Sequence, residues 1–122
     1  IYPGASPSDM IHSLRAGKIL ILASDQNAGK RGEFVYFFDQ LASSPRGADI
    51  FQQKTGAPVI VAFCQREKDE SYIIRFGQLP NGDDSASVTQ LFTTLLEKEI
   101  RKRPDQYFWF HRRWKTPQSE KS

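Results

Sequence analysis

Residues 45–64 read PRGADIFQQKTGAPVIVAFC, and their pattern is the first indication of the fold class. Its first part, 45–56, predicts a short helix that starts near Pro45 and is capped by Gly56, because proline suits the first helical turn and glycine suits the position after the last. Its second part, 57–64, is a nearly unbroken apolar run of strand length, which is typical of a strand buried on both faces of a parallel sheet. A helix that leads into a buried strand indicates an α/β domain.

A second apolar run, KILILAS, precedes this stretch at residues 18–24 and predicts another buried strand. The helix between the two runs suits a right-handed crossover, so we expect the two strands to be parallel. An earlier helix is predicted to have Ser6 as its N-cap, Pro7 in its first turn and Gly17 at its end. The apolar residues VYFF, 35–38, fit either a short strand or an apolar loop.

Two more elements are predicted on the C-terminal side. SYIIRFG, residues 71–77, predicts a third strand that forms a hairpin with the second. Residues 87–103 give the clearest helical pattern in the chain, with Ser87 and Gln90 spaced for a capping box and Pro104 as the stop. The same helix carries two pairs of opposite charge at favourable spacing: Glu97 with Arg101, and Glu99 with Arg103. We therefore predict a mixed, mostly parallel sheet flanked by helices.

Length and composition favour one domain. At 122 residues with 39% hydrophobic content, the chain has apolar material for one core, so residues 1–122 are predicted to form a single α/β domain. No apolar run approaches the length of about 18 residues that crosses a bilayer, and no secretory signal is present. Because a helix signal follows Ile1 almost at once, we expect the chain to be a piece of a longer protein. Cys64, the single cysteine, is predicted to be a core residue and not a reactive thiol.

Positive charge is concentrated near the C-terminus. Residues 1–96 carry nine Lys and Arg against ten Asp and Glu, whereas residues 97–115 carry seven against three. The segment PDQYFWFHRRWK, residues 104–115, places five aromatic rings among these cations. We treat residues 104–122 as a basic and aromatic tail. A local positive patch points to a polyanion, either nucleic acid or an anionic membrane surface, and charge alone leaves both open.

The two histidines, His12 and His111, are weak candidates for catalysis. Neither has an acidic residue nearby in sequence to orient it, and the cationic neighbours of His111 disfavour the imidazolium that a general base must become, so we favour packing or substrate contact for it. One cysteine and two distant histidines match no zinc spacing, so no metal is predicted. DQNAGKRG, residues 25–32, does not read as a calcium loop, because Gly29 and Tyr36 occupy ligand positions, and the phosphate-loop spacing is absent.

Asp25 and Gln26 directly follow the predicted strand at residues 18–24. Ligands of α/β sheets bind in the crevice beyond the carboxyl ends of strands, so this pair and the glycine-containing turn at residues 29–32 form a candidate site edge. An Asx turn explains the same residues equally well. Position and composition leave both interpretations open.

Three stretches taken together resemble a known family: LRAGKILILASDQNAGKRGEFVYFF (14–38), ASSPRGADIFQQKTGAPVIVAF (42–63) and LEKEIRKRPDQYFWFHRRWKT (96–116). Their order and content are similar to the C-terminal part of the bacterial lipid A biosynthesis acyltransferases, the late lauroyl and myristoyl acyltransferases. The resemblance covers nearly the whole chain. It is most specific at the Asp-Gln pair with its Gly/Lys turn and Phe-Phe, at Thr-Gly-Ala-Pro-Val, and in the aromatic and basic stretch near the end.

The resemblance implies a fold like that of the glycerol-3-phosphate acyltransferases, of which this chain would be the C-terminal half. It also implies transfer of a fatty acyl chain from acyl carrier protein to a hydroxyl of a lipid A precursor, with no cofactor. Family members act at the cytoplasmic face of the inner membrane, where an N-terminal hydrophobic segment holds them. Aromatic rings at headgroup level beside cations would suit such a phosphate-rich surface.

The catalytic signature of the family is a histidine with an acid at the fifth position after it (HxxxxD/E). It is absent here, because Gly17 stands at that spacing from His12, and Thr116 from His111. We therefore expect no catalytic residue within these 122 residues. Asp39 also departs from the family, which usually has glycine after Phe-Phe.

With the resemblance, two sets of site residues are predicted. The loop after the first strand is expected to bind substrate through Asp25, Gln26, Lys30 and Arg31. The tail and the preceding helix are expected to bind membrane phosphates through Arg101, His111, Arg112, Arg113, Trp114 and Lys115. The implied partners are acyl carrier protein, a lipid A precursor and an anionic membrane surface, and not nucleic acid. The alternative is a basic α/β module that binds nucleic acid or an acidic protein.

Overall fold

The computed structural model describes residues 5–118. The helices and strands of this part are, in chain order, α1 (Pro7–Arg15), β1 (Glu33–Phe37), β2 (Gln40–Ser44), α2 (Gly47–Thr55), β3 (Val59–Arg66), β4 (Tyr72–Leu79) and α3 (Val88–Lys102). Short 3-10 turns lie at Gly29–Arg31 and Pro104–Gln106. The predicted mixture of helices and strands is confirmed. Within residues 5–118, no helix combines the length and the apolar content that a bilayer crossing needs.

The strands form two separate antiparallel hairpins, β1 with β2 and β3 with β4. The predicted hairpin of the third strand on the second is confirmed as β3–β4. The predicted mostly parallel sheet is wrong for the described part of the chain, because residues 18–24 form no strand. Among residues 5–118, no segment is hydrogen-bonded to the backbone of residues 19–24, and the side chains of Ile19 and Ile21 are exposed.

The apolar residues VYFF contribute to β1, whose partner β2 has no clear signal in the sequence. The turn that joins these strands consists of Phe38 and Asp39, with φ of 50° and 59°. Two positive φ values are those of a type I′ turn, which matches the twist of a hairpin. A positive φ is unusual for a bulky residue such as Phe38, so contacts from elsewhere must hold this turn.

Those contacts come from α3. The Glu97 carboxylate accepts a hydrogen bond from the backbone N–H of Phe38 at 2.8 Å. Arg101, which pairs with Glu97 at 2.7 Å, lies over the Phe38 ring, 4.8 Å from its centroid. Two helical turns earlier, the Gln90 side-chain amide bonds both the N–H and the C=O of Tyr36, at 2.8 and 3.0 Å. Side chains of α3 therefore cover the free edge of β1.

The core lies on both sides of α3. The cluster against the first hairpin contains Phe37, Ala42, Leu96 and Ile100. The cluster against the second contains Val61, Leu79 and Val88. Phe63 and Phe92 contact both clusters and stack on each other, with ring centroids 6.1 Å apart. The predicted amphipathic helix is confirmed, and its apolar stripe joins the two hairpins.

The helix ends follow the sequence signals closely. Ser6 and Asp9 form a full capping box on α1, and Gly56 follows α2 with φ of 70°. On α3 only half of the predicted capping box forms. The Ser87 hydroxyl accepts from the N–H of Gln90, but the Gln90 side chain bonds β1 instead of returning to the cap. The hydrogen bonds of the Gln90 side chain with the edge of β1 replace its bond to the N-cap residue.

The two charge pairs predicted along α3 have different outcomes. Glu97 pairs with Arg101 as predicted. Glu99 instead pairs with Lys102 at 2.6 Å, because the Arg103 guanidinium donates to the carbonyl of Arg66 at 3.0 Å. The side chain at the helix end therefore contacts β3 in place of its own helix.

Cys64 is exposed, so its prediction as a core residue is wrong. Odd-numbered residues of β3 face α3, with Val61 buried, while even-numbered residues face outward. The apolar run 57–64 predicts burial on both faces, but the described residues cover only one of them.

Candidate functional site

The candidate site begins at the loop that follows residues 18–24. Asp25 and Gln26 are exposed at its start, and the turn at Gly29–Arg31 presents Lys30 and Arg31 to solvent. The predicted substrate-binding side chains therefore share one accessible loop. Among residues 5–118, neither basic residue of this loop forms an ion pair with Asp25.

The tail holds this loop in place. The backbone N–H of Asn27 donates to Nε2 of His111 at 2.9 Å, and the Asn27 side-chain amide donates to the Thr116 hydroxyl at 3.1 Å. The Tyr107 hydroxyl donates to the carbonyl of Asp25 at 3.3 Å. These bonds join residues at least 82 positions apart in sequence. The loop and the tail are thus held against each other.

The bond with Asn27 determines the proton position on His111. A ring nitrogen that accepts a hydrogen bond carries no proton, so Nε2 is unprotonated and the neutral ring has its proton on Nδ1. In this arrangement His111 positions the loop and is not presented to a substrate.

The other side of the loop is packed on the end of β2. A Cβ atom on Gly32 would lie 2.1 Å from the Ser43 hydroxyl oxygen and 2.9 Å from the carbonyl oxygen of Ser44, so only glycine fits. The Ser43 hydroxyl donates to the carbonyl of Gly29, and the N–H of Ala28 donates to the carbonyl of Ser43 at 3.2 Å. The loop is therefore fixed by β2 as well as by the tail.

Arg113 lies at the centre of the contact between the tail and β2. Its side chain is 1% exposed, and it donates to the Ser43 carbonyl at 2.6 Å and to the Ser44 hydroxyl. The guanidinium also lies over the Phe37 ring, 5.2 Å from the centroid. Burying a cation is costly unless its donors are satisfied, which these contacts accomplish in large part. Arg113 therefore ties the tail to the hairpin and does not face a membrane.

Burial changes the titration of two groups at this contact. Burial raises the pKa of Tyr107, the Arg113 cation opposes that rise, and the Asp25 carboxylate adds to it. Burial lowers the pKa of Arg113 below its usual value, while Tyr107 and Asp25 oppose the lowering. The exposed Asp25 carboxylate thus acts electrostatically on both groups and forms the solvent-facing side of the contact.

Aromatic rings fill the space beside Arg113. Trp114 stacks on Phe37 with centroids 5.2 Å apart, and its indole N–H donates to the carbonyl of Phe37 at 3.3 Å. Tyr107 packs edge-on against Phe37 and Trp109, at 6.2 and 4.9 Å. Trp114 is therefore partly buried against the core, in contrast to its prediction from sequence as a membrane-binding residue.

The remaining part of the tail is exposed. We call it the tail surface, and it consists of Phe108, Trp109, Phe110, Arg112 and Lys115. Phe110 is 92% exposed and Phe108 is 61% exposed. Arg101 is exposed too, but it is held by Glu97 and by the ring of Phe38. A cluster of large exposed rings is a feature of binding surfaces.

The residues predicted from sequence to bind the membrane therefore have different surroundings in the structure. His111, Arg113 and Trp114 contact the protein, whereas Arg112 and Lys115 face solvent. Among residues 5–118, no three His, Cys, Asp or Glu side chains converge to hold a metal ion.

Sequence reasoning misses Asn27, Tyr107 and Thr116 as the residues that hold the loop. Their contacts span the length of the chain, so no local pattern marks them. The position of Asn27 two residues before a turn glycine is one local hint, because asparagine often bonds backbone groups near turns.

An apolar cleft of about 1270 Å³ lies beside the loop. It is lined by residues 17–25, by β3 and by the apolar face of α3. The candidate site therefore combines a polar loop with an adjoining apolar cleft.

Comparison with known proteins gives a family match that includes both the loop and the tail. The family model described as bacterial lipid A biosynthesis acyltransferase matches residues 5–116, which include both the loop and the tail contacts. The chain belongs to this family. Lipid A acyltransferases are thus its relatives, and acyl transfer is the activity for which they are named.

Individual lipid A acyltransferases are similar at about the same level. The chain is 29% identical over 112 residues to the lipid A biosynthesis palmitoleoyltransferase of Escherichia coli (strain K12), and 31% identical over 114 residues to the lipid A biosynthesis lauroyltransferase of that strain. It is 29% identical over 112 residues to a lipid A biosynthesis acyltransferase of Shigella flexneri. Each comparison covers 88% of this chain and 37% of the relative. The chain therefore spans little more than a third of the length of these curated relatives.

Proposed function

We propose that this chain takes part in the transfer of a fatty acyl chain from acyl carrier protein to a hydroxyl of a lipid A precursor, in lipopolysaccharide biosynthesis. Membership of the family and the names of the relatives support acyl transfer in lipid A biosynthesis. The carrier protein as donor and a glycerol-3-phosphate-acyltransferase-like fold for the complete enzyme are parts of the proposal.

In this proposal the chemical step uses residues outside these 122. The family's His/acid pair would remove the proton of the acceptor hydroxyl as its oxygen attacks the thioester carbonyl, and the carrier thiol would leave. Neither His12 nor His111 has an acid at the required spacing, and Nε2 of His111 already accepts from Asn27. We therefore assign substrate binding, and not proton transfer, to this stretch.

Turnover measurements test that assignment. Residues 1–122, supplied with acyl carrier protein loaded with a fatty acid and with a lipid A precursor, should give no acyl transfer above background, because the His/acid pair is absent. Transfer above background by these residues alone would reject the assignment of binding.

The fixed loop is the observation that carries the proposal. Asp25 is exposed, yet the loop around it is held by His111, Thr116 and Tyr107. A carboxylate on a fixed loop can accept hydrogen bonds from a substrate hydroxyl or amide without the entropy cost of ordering the loop. Lys30 and Arg31 on the same loop suit the phosphate groups of a lipid A precursor, with Gln26 as a neutral donor.

The tail surface is proposed to lie on an anionic membrane, at the cytoplasmic face of the inner membrane. The exposed rings of Phe108, Trp109 and Phe110 suit the headgroup level, and Arg112 and Lys115 attract lipid phosphates. Anchoring by an N-terminal hydrophobic segment, as the family resemblance implies, belongs to the same proposal.

Vesicle binding tests the membrane part. Arg112→Glu with Lys115→Glu should weaken binding to vesicles of anionic phospholipid by more than about tenfold, since each basic residue near the surface contributes about 1 kcal/mol. A matched control, Arg46→Glu with Lys68→Glu, reverses two exposed cations elsewhere and should have a smaller effect. Sedimentation at several salt concentrations measures both.

Two results would reject the membrane assignment. One is unchanged vesicle binding by the tail variant, and the other is an equal loss in the control. Tighter binding to a single-stranded oligonucleotide than to vesicles, at the same salt concentration, would favour the nucleic-acid alternative.

A further inference from the structure

The Tyr107 hydroxyl joins the buried Arg113 cation to the start of the loop. It donates to the carbonyl of Asp25 at 3.3 Å, and the Arg113 cation is close enough to oppose the rise in the pKa of Tyr107. The Nε–H of Arg113 is buried and, among residues 5–118, has no hydrogen-bond partner of good geometry. A phenol oxygen can accept a hydrogen bond while it donates its own proton. Tyr107 is therefore the polar group through which Arg113 acts on the backbone of Asp25.

Ser43 joins the same cation to the other end of the loop. Nη1 of Arg113 donates to the carbonyl of Ser43 at 2.6 Å, and this carbonyl also accepts from the N–H of Ala28 at 3.2 Å. The Ser43 hydroxyl donates to the carbonyl of Gly29. Gly29 begins the 3-10 turn Gly29–Arg31 with φ of 64°. Ser43 therefore fixes the turn that carries the two basic residues of the loop.

The two routes from Arg113 end on groups of opposite charge. Asp25 carries a carboxylate, which can accept hydrogen bonds from a substrate hydroxyl or amide, whereas Lys30 and Arg31 carry cations that suit substrate phosphates. Arg113 and Ser43 are 1% and 0% exposed, so neither side chain is open to a substrate. Any effect of these two buried side chains on the reaction must therefore pass through the loop.

We propose that Tyr107 and Ser43 are positioning residues with separate roles in acyl transfer. Tyr107 sets the carboxylate of Asp25 for the step in which the acyl group is transferred. Ser43 sets the cations of Lys30 and Arg31 for binding of the substrate phosphates. The buried arginine that both residues contact is their common anchor. This inference rests on the proposed substrate-binding role of the loop.

Steady-state kinetics test the two roles in an Escherichia coli lauroyltransferase in which residues 5–116 of this chain replace the matched stretch. Tyr107→Phe removes only the hydroxyl and should lower kcat by about threefold to tenfold, with KM for the lipid A precursor within about twofold. Ser43→Ala should raise that KM by about threefold to tenfold, with kcat within about twofold. Tyr72→Phe in β4 and Ser13→Ala in α1 are matched controls and should alter neither. The same kinetic change in both test variants would overturn the inference.

A double substitution tests whether Tyr107 acts through Asp25. Tyr107→Phe added to Asp25→Asn should lower kcat by less than about a further twofold, because the charge that Tyr107 positions is already absent. Two losses that multiply independently would overturn the role of Tyr107. If Asp25→Asn alone leaves kcat unchanged, the proposed function fails, and the positioning is then decided by hydrogen exchange.

Hydrogen exchange in the same enzyme tests the positioning without turnover. Tyr107→Phe should speed exchange of the Asn27 amide by about tenfold and leave that of Gly32 within about twofold, because Asn27 is near the end of the loop that Tyr107 holds. Ser43→Ala should have the opposite pattern, because the Gly32 amide bonds the Gly29 carbonyl, at 3.3 Å, that loses its serine partner. Equal acceleration of both amides by either variant, or no acceleration, would overturn the inference.

Discussion

Arg113 and Arg112 are adjacent and chemically identical, yet they have different surroundings. Arg112 is exposed, whereas Arg113 is 1% exposed and bonds Ser43 and Ser44 of β2. The planar guanidinium can donate to both serines and lie over the Phe37 ring at the same time, which an ammonium group cannot do. One buried cation thus determines where the tail is placed.

Substitution of Arg113 should therefore be far more costly than substitution of its neighbour. We expect Arg113→Lys to lower the free energy of unfolding by about 2–4 kcal/mol, because it loses the paired contacts and leaves a buried charge poorly satisfied. Arg112→Lys should change it by less than about 0.5 kcal/mol. Urea denaturation of both variants provides the comparison. Equal losses of stability would show that Arg113 does not fix the tail to β2.

At the level of elements, α3 imposes the shape of the β1–β2 turn. Glu97 is central, because it bonds both Phe38 and Arg101. Burial of Glu97 acts to raise its pKa, but the bonds from Arg101 and from the N–H of Phe38 outweigh burial and lower the pKa from its usual 4.5. The ionised carboxylate therefore stabilises the turn.

The contribution of Glu97 should depend on pH. Because the pKa is lower in the folded state, the stabilisation is complete above the unfolded value of about 4.5 and is lost as pH falls through the folded value. Glu97→Gln should lower stability at neutral pH by about 1 kcal/mol, and the gap to the wild type should close on acidification. Thermal unfolding at a series of pH values measures this difference in stability between the variant and the wild type. A gap that stays constant would contradict the ionic role.

The turn residues themselves should respond to substitution. Asp39 has φ of 59°, a conformation in which glycine has no steric penalty. Asp39→Gly should raise stability by about 0.5 kcal/mol, since glycine is favoured at the second position of a type I′ turn, and Asp39→Ala should lower it. Denaturant unfolding of the pair tests this. If alanine were tolerated as well as glycine, positive φ would not be the deciding factor.

Across the whole molecule, the features that can be predicted from sequence are those that depend on residues close together in the chain. The ends of α1 and α2 and the β3–β4 hairpin each follow from signals within about ten residues, such as Ser6 and Gly56. The features that cannot be predicted depend on contacts between residues that are far apart in sequence. The apolar pattern of residues 18–24 is that of a strand, but a strand needs a partner, and none is present among the described residues. The burial of Arg113 and the bond between Asn27 and His111 are equally invisible locally.

The candidate site also has one part that sequence predicts and one part that it does not. The loop is predicted from Asp25 at the end of an apolar run, which is a local signal. The placement of the tail against that loop required the complete fold, because it joins residues more than 80 positions apart. The family resemblance connected the two stretches in sequence, and the structure supplies the contacts between them.

One measurement tests the substrate-binding role of the loop most directly. Asp25→Asn is introduced into a lauroyltransferase in which residues 5–116 of this chain replace the matched stretch, and turnover and melting temperature are compared with the parent. Asparagine keeps the shape and the capacity for an Asx turn while removing the charge. We predict that kcat falls by about tenfold or more, as expected for loss of a charged hydrogen bond, with an unchanged melting temperature. The exposed control Asp84→Asn should alter neither. A lowered melting temperature with full activity per folded molecule would contradict it.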